Sequence, residues 1–453
     1  MQRQTFLRLC TLGLGSAFLP NLSYTKHRSS GKKVIIVGAG MAGASAARTL
    51  SDVGFEVQVL EARNRVGGRI HTFKDWGVNL ELGANWIHSA SHPDNYIDTL
   101  ATQAKVATQE TNYGKFKLYD SQGRKIGRLR AQLSMIKFEK QLAREAELLA
   151  ASDSDISFLE LATRSYTSSG NKQEVINRLI RGSYANNFSD DLSEVSAKYY
   201  TLEYEDYSDR ADHLVTGGYD TIVKSLLRGI NVEFQSEVKE IRITGNEVVT
   251  ITDNETYQSD HIILTVPLSI LQQGKILFNP TLPDYKQQAF SRISMGLFNK
   301  VFMEFEEKFW PGNTDFLVFQ HETLAHFGIA VNYHHYRKRP ILIAMPVAES
   351  ARWIETEPDH VIQQTWLDIL SKAFPRKNVN LKRVKVTRWG QDVYSLGSYS
   401  YVPVGSQAKD FEAIACPVGR IHFAGEATLS AHHANVHGAY LTGIREANRI
   451  MGY

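Results

Sequence analysis

Gly38, Gly40 and Gly43, spaced GxGxxG, and Glu61 some way downstream are the first residues in this chain placed to do chemistry. In such a turn the first glycine permits the tight bend and the second lets a pyrophosphate approach the backbone. The third lets the following helix pack closely. The N-terminus of the helix that follows aims unpaired N–H groups at the phosphates, and Met41 and Ala42, within the turn, are expected to contact the cofactor. Glu61 stands where an acid accepts hydrogen bonds from a ribose 2′-OH, and its charge would repel a 2′-phosphate. By itself the turn also fits a packing role, and it does not choose between dinucleotides. The residues after it do: Glu61-Ala62-Arg63 leads into Val66-Gly67-Gly68-Arg69. Two glycines and two arginines directly after the ribose acid suit a second loop closing over a pyrophosphate, which the arginines neutralise. A nicotinamide enzyme has little need of that second clamp, so the dinucleotide read here is FAD.

The hydrophobic pattern supplies the elements that must hold these residues. Residues 33–38 form a β-branched apolar run ended by glycine, which reads as a buried strand. An alanine-rich helix over 44–50 and a second strand over 57–60 follow. From about 125 to 183 the pattern turns helical, as in 133–149. Strands are expected at 231–234, 238–243, 247–251, 261–266, 300–305, 340–347 and 420–424, with a last helix over 436–451. A second strand–glycine element near the C-terminus, 421–425, implies one domain interleaved with another. The expected class is α/β: a Rossmann-like FAD-binding domain in three parts (31–112, 207–266, 388–453). It would be interleaved with a mixed α+β substrate-binding domain, made of a helical segment, 113–206, and residues 267–387.

Composition narrows the function. The chain has 453 residues, enough for two domains with a sizeable core. A net charge of +3 with scattered Lys and Arg gives no reason to expect nucleic acid as a partner. Cys10 and Cys416 cannot form a disulfide framework, and Cys416 is expected to be a small buried side chain. The histidines include the adjacent pairs His334-His335 and His432-His433, with no metal-ligand spacing among them, so no metal site is expected. In residues 1–30, Arg3 and Arg8 precede an apolar run too short to span a bilayer. The segment resembles a twin-arginine export signal with Gln4 where the second arginine belongs, which implies a periplasmic enzyme. A retained N-terminus on a cytoplasmic protein is the alternative. Stable membrane insertion is not expected, and the oligomeric state is open.

The stretch Leu60-Glu61-Ala62-Arg63-Asn64-Arg65-Val66-Gly67-Gly68-Arg69 resembles the FAD signature of the flavin-containing amine oxidases. That family includes monoamine oxidases, polyamine and spermine oxidases and lysine-specific histone demethylases. Later segments are similar to it as well: Glu81-Leu82-Gly83-Ala84-Asn85-Trp86-Ile87-His88, Phe298-Asn299-Lys300-Val301, Gly397-Ser398-Tyr399-Ser400-Tyr401, and Phe423-Ala424-Gly425-Glu426 through Val436-His437-Gly438. The polyamine oxidase branch is the most similar.

The resemblance implies roles. Lys300 matches the lysine that holds a water against flavin N5, and Trp389 the tryptophan lining the flavin. Gly83, Ala84, Asn85, Trp86, Val238, Gly425, Glu426, Asn435 and Val436 fall at cofactor-contacting positions. Tyr399 and Asn435 match the two positions flanking the substrate amine, where many relatives place two aromatic rings. Asn435 leaves half of that sandwich, which puts simple aryl monoamines in doubt. His88 resembles the histidine beside the substrate chain in spermine-type oxidases. Ser398 sits where monoamine oxidases carry the cysteine linked to flavin, so FAD is expected to be non-covalent. The implied reaction moves a hydride from the carbon beside an amine nitrogen to FAD. Water then hydrolyses the imine to an aldehyde, and O2 is reduced to hydrogen peroxide. Glu203, Glu205 and Asp206 would suit distal ammonium groups, although so acidic a run is more often a solvated face. Rival readings are an L-amino acid oxidase, which needs an arginine to clamp a carboxylate, and a non-catalytic FAD-binding interaction protein.

Overall fold

The computed structural model describes residues 31–90, 95–152, 154–168, 189–199, 211–320 and 328–452. The export-like segment 1–30 and the acidic candidates Glu203, Glu205 and Asp206 lie outside them. Five parallel strands form the sheet behind the glycine turn, in the order Asn231–Glu233, Glu56–Leu60, Lys33–Val37, His261–Leu264, Ile421–Phe423. They come from three separate stretches of chain. The strand beginning at Lys33 is central because Val34, Ile35 and Ile36 are fully buried, as a strand covered on both faces requires. One face is covered by the helices Met41–Asp52 and Val436–Met451, and the other by a cluster that includes Ile35, Leu264, Phe411 and Phe423. Chain order reverses beside the central strand. A crevice outside the carboxyl ends of the strands, at such a switch point, is where open α/β sheets bind ligands.

A second sheet has seven strands, in the order Leu381–Val386, Val301–Phe305, Ile341–Ala344, Ile329–Asn332, Phe316–Phe319, Phe116–Tyr119, Lys125–Ile126. It is mostly antiparallel, with one parallel pair between Phe116–Tyr119 and Phe316–Phe319. Two of these strands match the runs expected from sequence at 300–305 and 340–347. The helical stretch expected from about 125 instead opens with the strand Lys125–Ile126, and its helices run Arg128–Ala150 and Phe158–Ser168 among the described residues. Lys125 and Ile126 pair with Tyr119 and Leu118, so tertiary pairing overrides a helix-favouring local pattern. Cys416 is also not as expected. It is exposed, at the extended residue that ends the helix Ala408–Ala415 before Pro417. No helix among the described residues is long and apolar enough to cross a membrane.

Candidate active site

The two sheets enclose a cavity of about 1340 Å³, larger than the ~300–1,000 Å³ usual for a small-molecule site. Of the candidate site residues, Gly43 alone does not line it. Gly38, Gly40, Met41, Ala42, Glu61, Ala62, Arg63, Gly68 and Arg69 line one end, with Val238, Gly425, Glu426 and Val436. Gly83, Ala84, Asn85, Trp86, His88, Lys300, Trp389, Tyr399 and Asn435 line the remainder. Gly43 sits behind the turn, where an added Cβ would lie 1.9 Å from the Gly38 carbonyl oxygen. Its contribution is the close packing of the helix on the turn, and it serves a cofactor through that packing and not by lining the cavity.

The glycine turn is locked from several sides. Gly38 has φ +104°, in the region that favours glycine. Thr265, just past the strand His261–Leu264, donates its hydroxyl to the Val37 and Gly38 carbonyls at 2.8 and 3.2 Å. The second glycine loop docks on the first, with Gly67 N–H donating to Ala39 O at 2.8 Å. Glu61 accepts from Ala39 N–H at 2.8 Å and Arg63 N–H at 2.9 Å. That leaves carboxylate lone pairs for hydroxyls in the cavity.

The two arginines are not a pair of unengaged clamps. Arg63 forks onto Asp392 at 2.8 and 2.6 Å and reaches Ser395 at 3.0 Å. Arg69 donates to Glu426 at 2.8 Å and to Ser398 O at 2.9 Å. The expectation that both neutralise a pyrophosphate bidentately is therefore corrected: both guanidinium groups already face a protein carboxylate. Glu426 is likewise committed within the protein, accepting from Ser400 Oγ at 2.6 Å and Ala434 N–H at 2.8 Å. Burial works to raise its pKa, but Arg69, Ser400 and Ala434 outweigh it and hold the carboxyl below its ordinary range.

The residues present fit a dinucleotide. The helices Met41–Asp52 and Val436–Met451 both begin at the cavity, at Gly40 and Asn435, with no side-chain cap and no acid in the first turn. Their N-terminal N–H groups and positive dipole ends are thus presented to whatever anionic group enters. Gly40 and Gly68 face each other across the turn with room for a close approach, and nothing lies within 4 Å of a Cβ built on Gly425.

Beyond the cradle the wall changes character. Lys300 is 3% exposed and donates to Glu81 O at 2.9 Å, Gly83 O at 2.5 Å and Asn85 Oδ1. Three acceptors match the three protons of an ammonium. Burial pulls its pKa down to about 7, opposed by the negative charge of Glu81. Trp389 is fixed by its indole N–H to Leu82 O at 3.0 Å and its backbone N–H to Asn299 Oδ1 at 3.0 Å. Tyr399 stands 6.1 Å from the Phe298 ring, and Ser398 Oγ grips the Phe298 backbone on both sides, at 2.9 and 2.8 Å. Asn435 turns its amide to His433 O at 2.9 Å.

Where the cavity opens to solvent, His88 Nδ1 lies 2.8 Å from Asp212 Oδ2, which also accepts from Tyr113 OH at 2.7 Å. Asp212 Oδ1 accepts from Ser89 N–H at 2.8 Å. Burial pushes this carboxyl up, but the His88, Tyr113 and Ser89 contacts prevail and set its pKa at about 2. Sequence reasoning gave no role to Asp212, Asp392 or Asn299, because each acts through a partner distant in the chain. Asn299 alone had an available signal, lying beside Lys300 in a stretch already singled out.

Comparison with known proteins agrees with this geometry. The sequence model of the flavin containing amine oxidoreductases matches residues 41–451. Polyamine oxidase 2 of Arabidopsis thaliana is 30% identical over 93% of this chain and 88% of its own length. Lysine-specific histone demethylase 1 homolog 2 of Arabidopsis thaliana is 32% identical over 97% of this chain and 60% of its own. A putrescine oxidase solved with putrescine bound superposes with a TM-score of 0.79, at 21% identity, over 93% of this chain and 99% of that one. At that identity the likeness speaks for the fold. With its doubly wound sheet and glycine cradle facing one large cavity, the chain belongs to the flavin-containing amine oxidoreductases, and its cofactor is FAD.

Proposed function

We propose that this amine oxidase acts on polyamines, with O2 as the electron acceptor and hydrogen peroxide as a product. The observation that carries the reading is Asp212: an ionised carboxylate at the solvent end of a cavity whose walls there include Tyr113, Phe116 and Phe316. A polyamine is a chain of methylenes with cations along it. It needs apolar walls for the chain and an anion for the ammonium that does not react. FAD, when bound, supplies the hydride acceptor and the route for electrons to oxygen.

The chain's own residues do the rest. An amine has a pKa near that of lysine, about 10, so the neutral form able to react is scarce at pH 7. Tyr399 and Phe298 give the reacting nitrogen an apolar, aromatic surround that disfavours its charged form by desolvation. Asn435, replacing a second ring, leaves room for a substituted nitrogen. Asp212 holds the distal ammonium, and Lys300 keeps a polar group at an otherwise apolar wall.

An amino acid oxidase would need a guanidinium for the substrate carboxylate. Among the described residues lining the cavity the guanidinium groups are Arg63 and Arg69, and both are paired with carboxylates. We further read residues 1–30 as directing export, FAD as non-covalent, and the three-part partition of the chain as its domain organisation. N-terminal sequencing of protein recovered from the periplasm tests the first, and release of FAD on unfolding the second.

The deciding experiment is anaerobic mixing of the purified yellow protein with spermine, spermidine, putrescine, an aryl monoamine and L-amino acids in turn. Polyamines should bleach the flavin band, with colour and peroxide returning on admission of air. Bleaching by amino acids alone would move the chain to the rival enzyme class. No bleaching by any of them would favour a non-catalytic flavoprotein.

A further inference from the structure

One carboxylate oxygen is shared by the chain neighbours of Tyr399 and Asn435. Tyr399 stands beside the two-residue strand Ser400–Tyr401, and Asn435 stands at the start of the helix Val436–Met451; both line the cavity. Glu426 reaches towards both from the head of the short helix Glu426–Thr428, where it is 5% exposed. Its Oε1 accepts from Arg69 at 2.8 Å. Its Oε2 accepts from Ser400 Oγ at 2.6 Å and Ala434 N–H at 2.8 Å, with Ser400 N–H more distant at 3.4 Å. Ser400 follows Tyr399 in the chain, and Ala434 precedes Asn435. On the other side of the tyrosine, Arg69 donates to Ser398 O at 2.9 Å. The carbonyl of Tyr399 accepts from Gly296 N–H at 2.9 Å and Ser189 Oγ at 3.1 Å. Ala434 has φ +62°, a left-handed conformation that alanine keeps only where its surroundings over-determine it. The bond from its N–H to an ionised carboxylate is one such constraint, and it sets the direction in which the chain enters Asn435.

We propose that Glu426 is a positioning residue for Tyr399 and Asn435: one carboxylate, paired with Arg69, holds the residue next to each and so fixes both flanks of the amine site. The role rests on the reading of Tyr399 and Asn435 as the residues beside the reacting nitrogen, and it goes beyond contact with the cofactor. The arrangement requires a carboxylate. Arg69 donates to one oxygen, Ser400 Oγ and Ala434 N–H donate to the other, and an amide in the same place has a single acceptor oxygen. A glutamine would therefore turn its NH2 group towards a donor and release either Arg69 or the Ala434 N–H, neither of which can accept in return. Misplacing a reacting group by about 1 Å can cost on the order of a hundredfold in rate, so a shift of either flank reaches the chemistry. A brace serving the fold alone would change stability or FAD content and leave the rate per bound flavin as it is.

The test is a double-mutant cycle on the rate of anaerobic flavin reduction, counted per bound FAD, with whichever amine bleaches the wild type fastest. Glu426→Gln should slow reduction about tenfold or more in the wild-type background. In a Tyr399→Ala/Asn435→Ala background, where neither flank is left to position, the same change should alter the rate by less than about twofold. Losses that multiply in full would overturn the proposal, and so would an unchanged rate in Glu426→Gln alone. Should that variant lose FAD, Ser400→Ala takes its place in a cycle with Tyr399→Ala, because it keeps the carboxylate and its Arg69 partner. A smaller loss is then expected, absent once Tyr399 is gone, and a loss that persists without Tyr399 counts against the proposal. A substrate-free readout stands apart from the identity of the amine. With 3-fluorotyrosine incorporated, the Tyr399 signal in 19F NMR is assigned by its loss in Tyr399→Phe. It should move in Glu426→Gln and in Ser400→Ala, and a signal that neither change moves would overturn the proposal. If no amine bleaches the wild type, the polyamine reading fails while the fluorine signal still decides the hold of Glu426.

Discussion

Asp212 orients and attracts at once. It holds His88 through Nδ1 and Tyr113 through its hydroxyl, and it brings a negative charge to the opening of an apolar channel. Hydrogen bonds to charged groups contribute about 1.5–3 kcal/mol. Asp212→Asn should therefore raise the KM for a polyamine about tenfold or more, and raise it less for a monoamine that has no distal ammonium. Steady-state kinetics on the two substrates checks this, and equal losses on both would assign Asp212 to folding alone. The pH dependence has a defined sign. The folded-state pKa of about 2 lies below the ordinary aspartate value, so the stability this group contributes is present above about pH 4. It is lost as pH falls towards 2. Acid unfolding curves of wild type and Asp212→Asn should converge there and separate at neutral pH.

Among the elements, the two helices that begin at the cavity matter most, and they meet each other through small residues. A Cβ on Gly443 would lie 2.2 Å from Ala42 O and 2.2 Å from Ser45 Oγ, so the C-terminal helix rests directly on the glycine-turn helix. Gly443→Ala should force them apart, cost about 1–3 kcal/mol and weaken FAD retention. Thermal unfolding and the flavin-to-protein absorbance ratio measure both effects, and an unchanged ratio would show that the helix contact does not position the cradle. This contact was not legible in the sequence, because Gly443 lies in no motif and its partner is far away in the chain. The glycine turn and the strand before it were legible, since their spacing is local and their chemistry is carried by backbone. So was the last helix, expected over 436–451 and found over Val436–Met451. The strands Phe116–Tyr119 and Leu381–Val386 were not anticipated. Leu381–Val386 pairs with Val301–Phe305, and Phe116–Tyr119, besides its short hairpin with Lys125–Ile126, is held in the sheet by Phe316–Phe319, partners that no local window contains. The commitments of Arg63, Arg69 and Glu426 were hidden for the same reason. Sequence brings the charges near a cofactor site, but only the fold shows that they satisfy one another first.

For the whole molecule, the cavity is a seam. Its cradle is assembled from the turn at 38–42, the loop at 61–69, the residues around Val238 and the segment from Gly425 to Val436, which the chain visits at widely separated times. Their mutual fixings are specific and include Gly67 and Glu61 on Ala39, Ser236 on Glu61, Arg63 on Asp392, Arg69 on Glu426 and Thr265 on the glycine turn. A ligand that touches all of these segments binds the folded chain and not the unfolded one, so it must stabilise by mass action. The gain is about 2.7 kcal/mol when free ligand stands at 100 times its Kd. The unfolding midpoint of protein depleted of FAD should thus lie below that of the holoenzyme and climb steadily with the logarithm of added FAD. AMP, which can engage the Glu61 end but cannot reach Lys300 and Trp389, should recover only a fraction of the shift. Scanning fluorimetry over a series of FAD and AMP concentrations measures both curves. A midpoint indifferent to FAD would mean that the protein contacts alone close the seam. Equal effects of FAD and AMP would mean that the flavin end of the cavity adds nothing to holding the two sheets together.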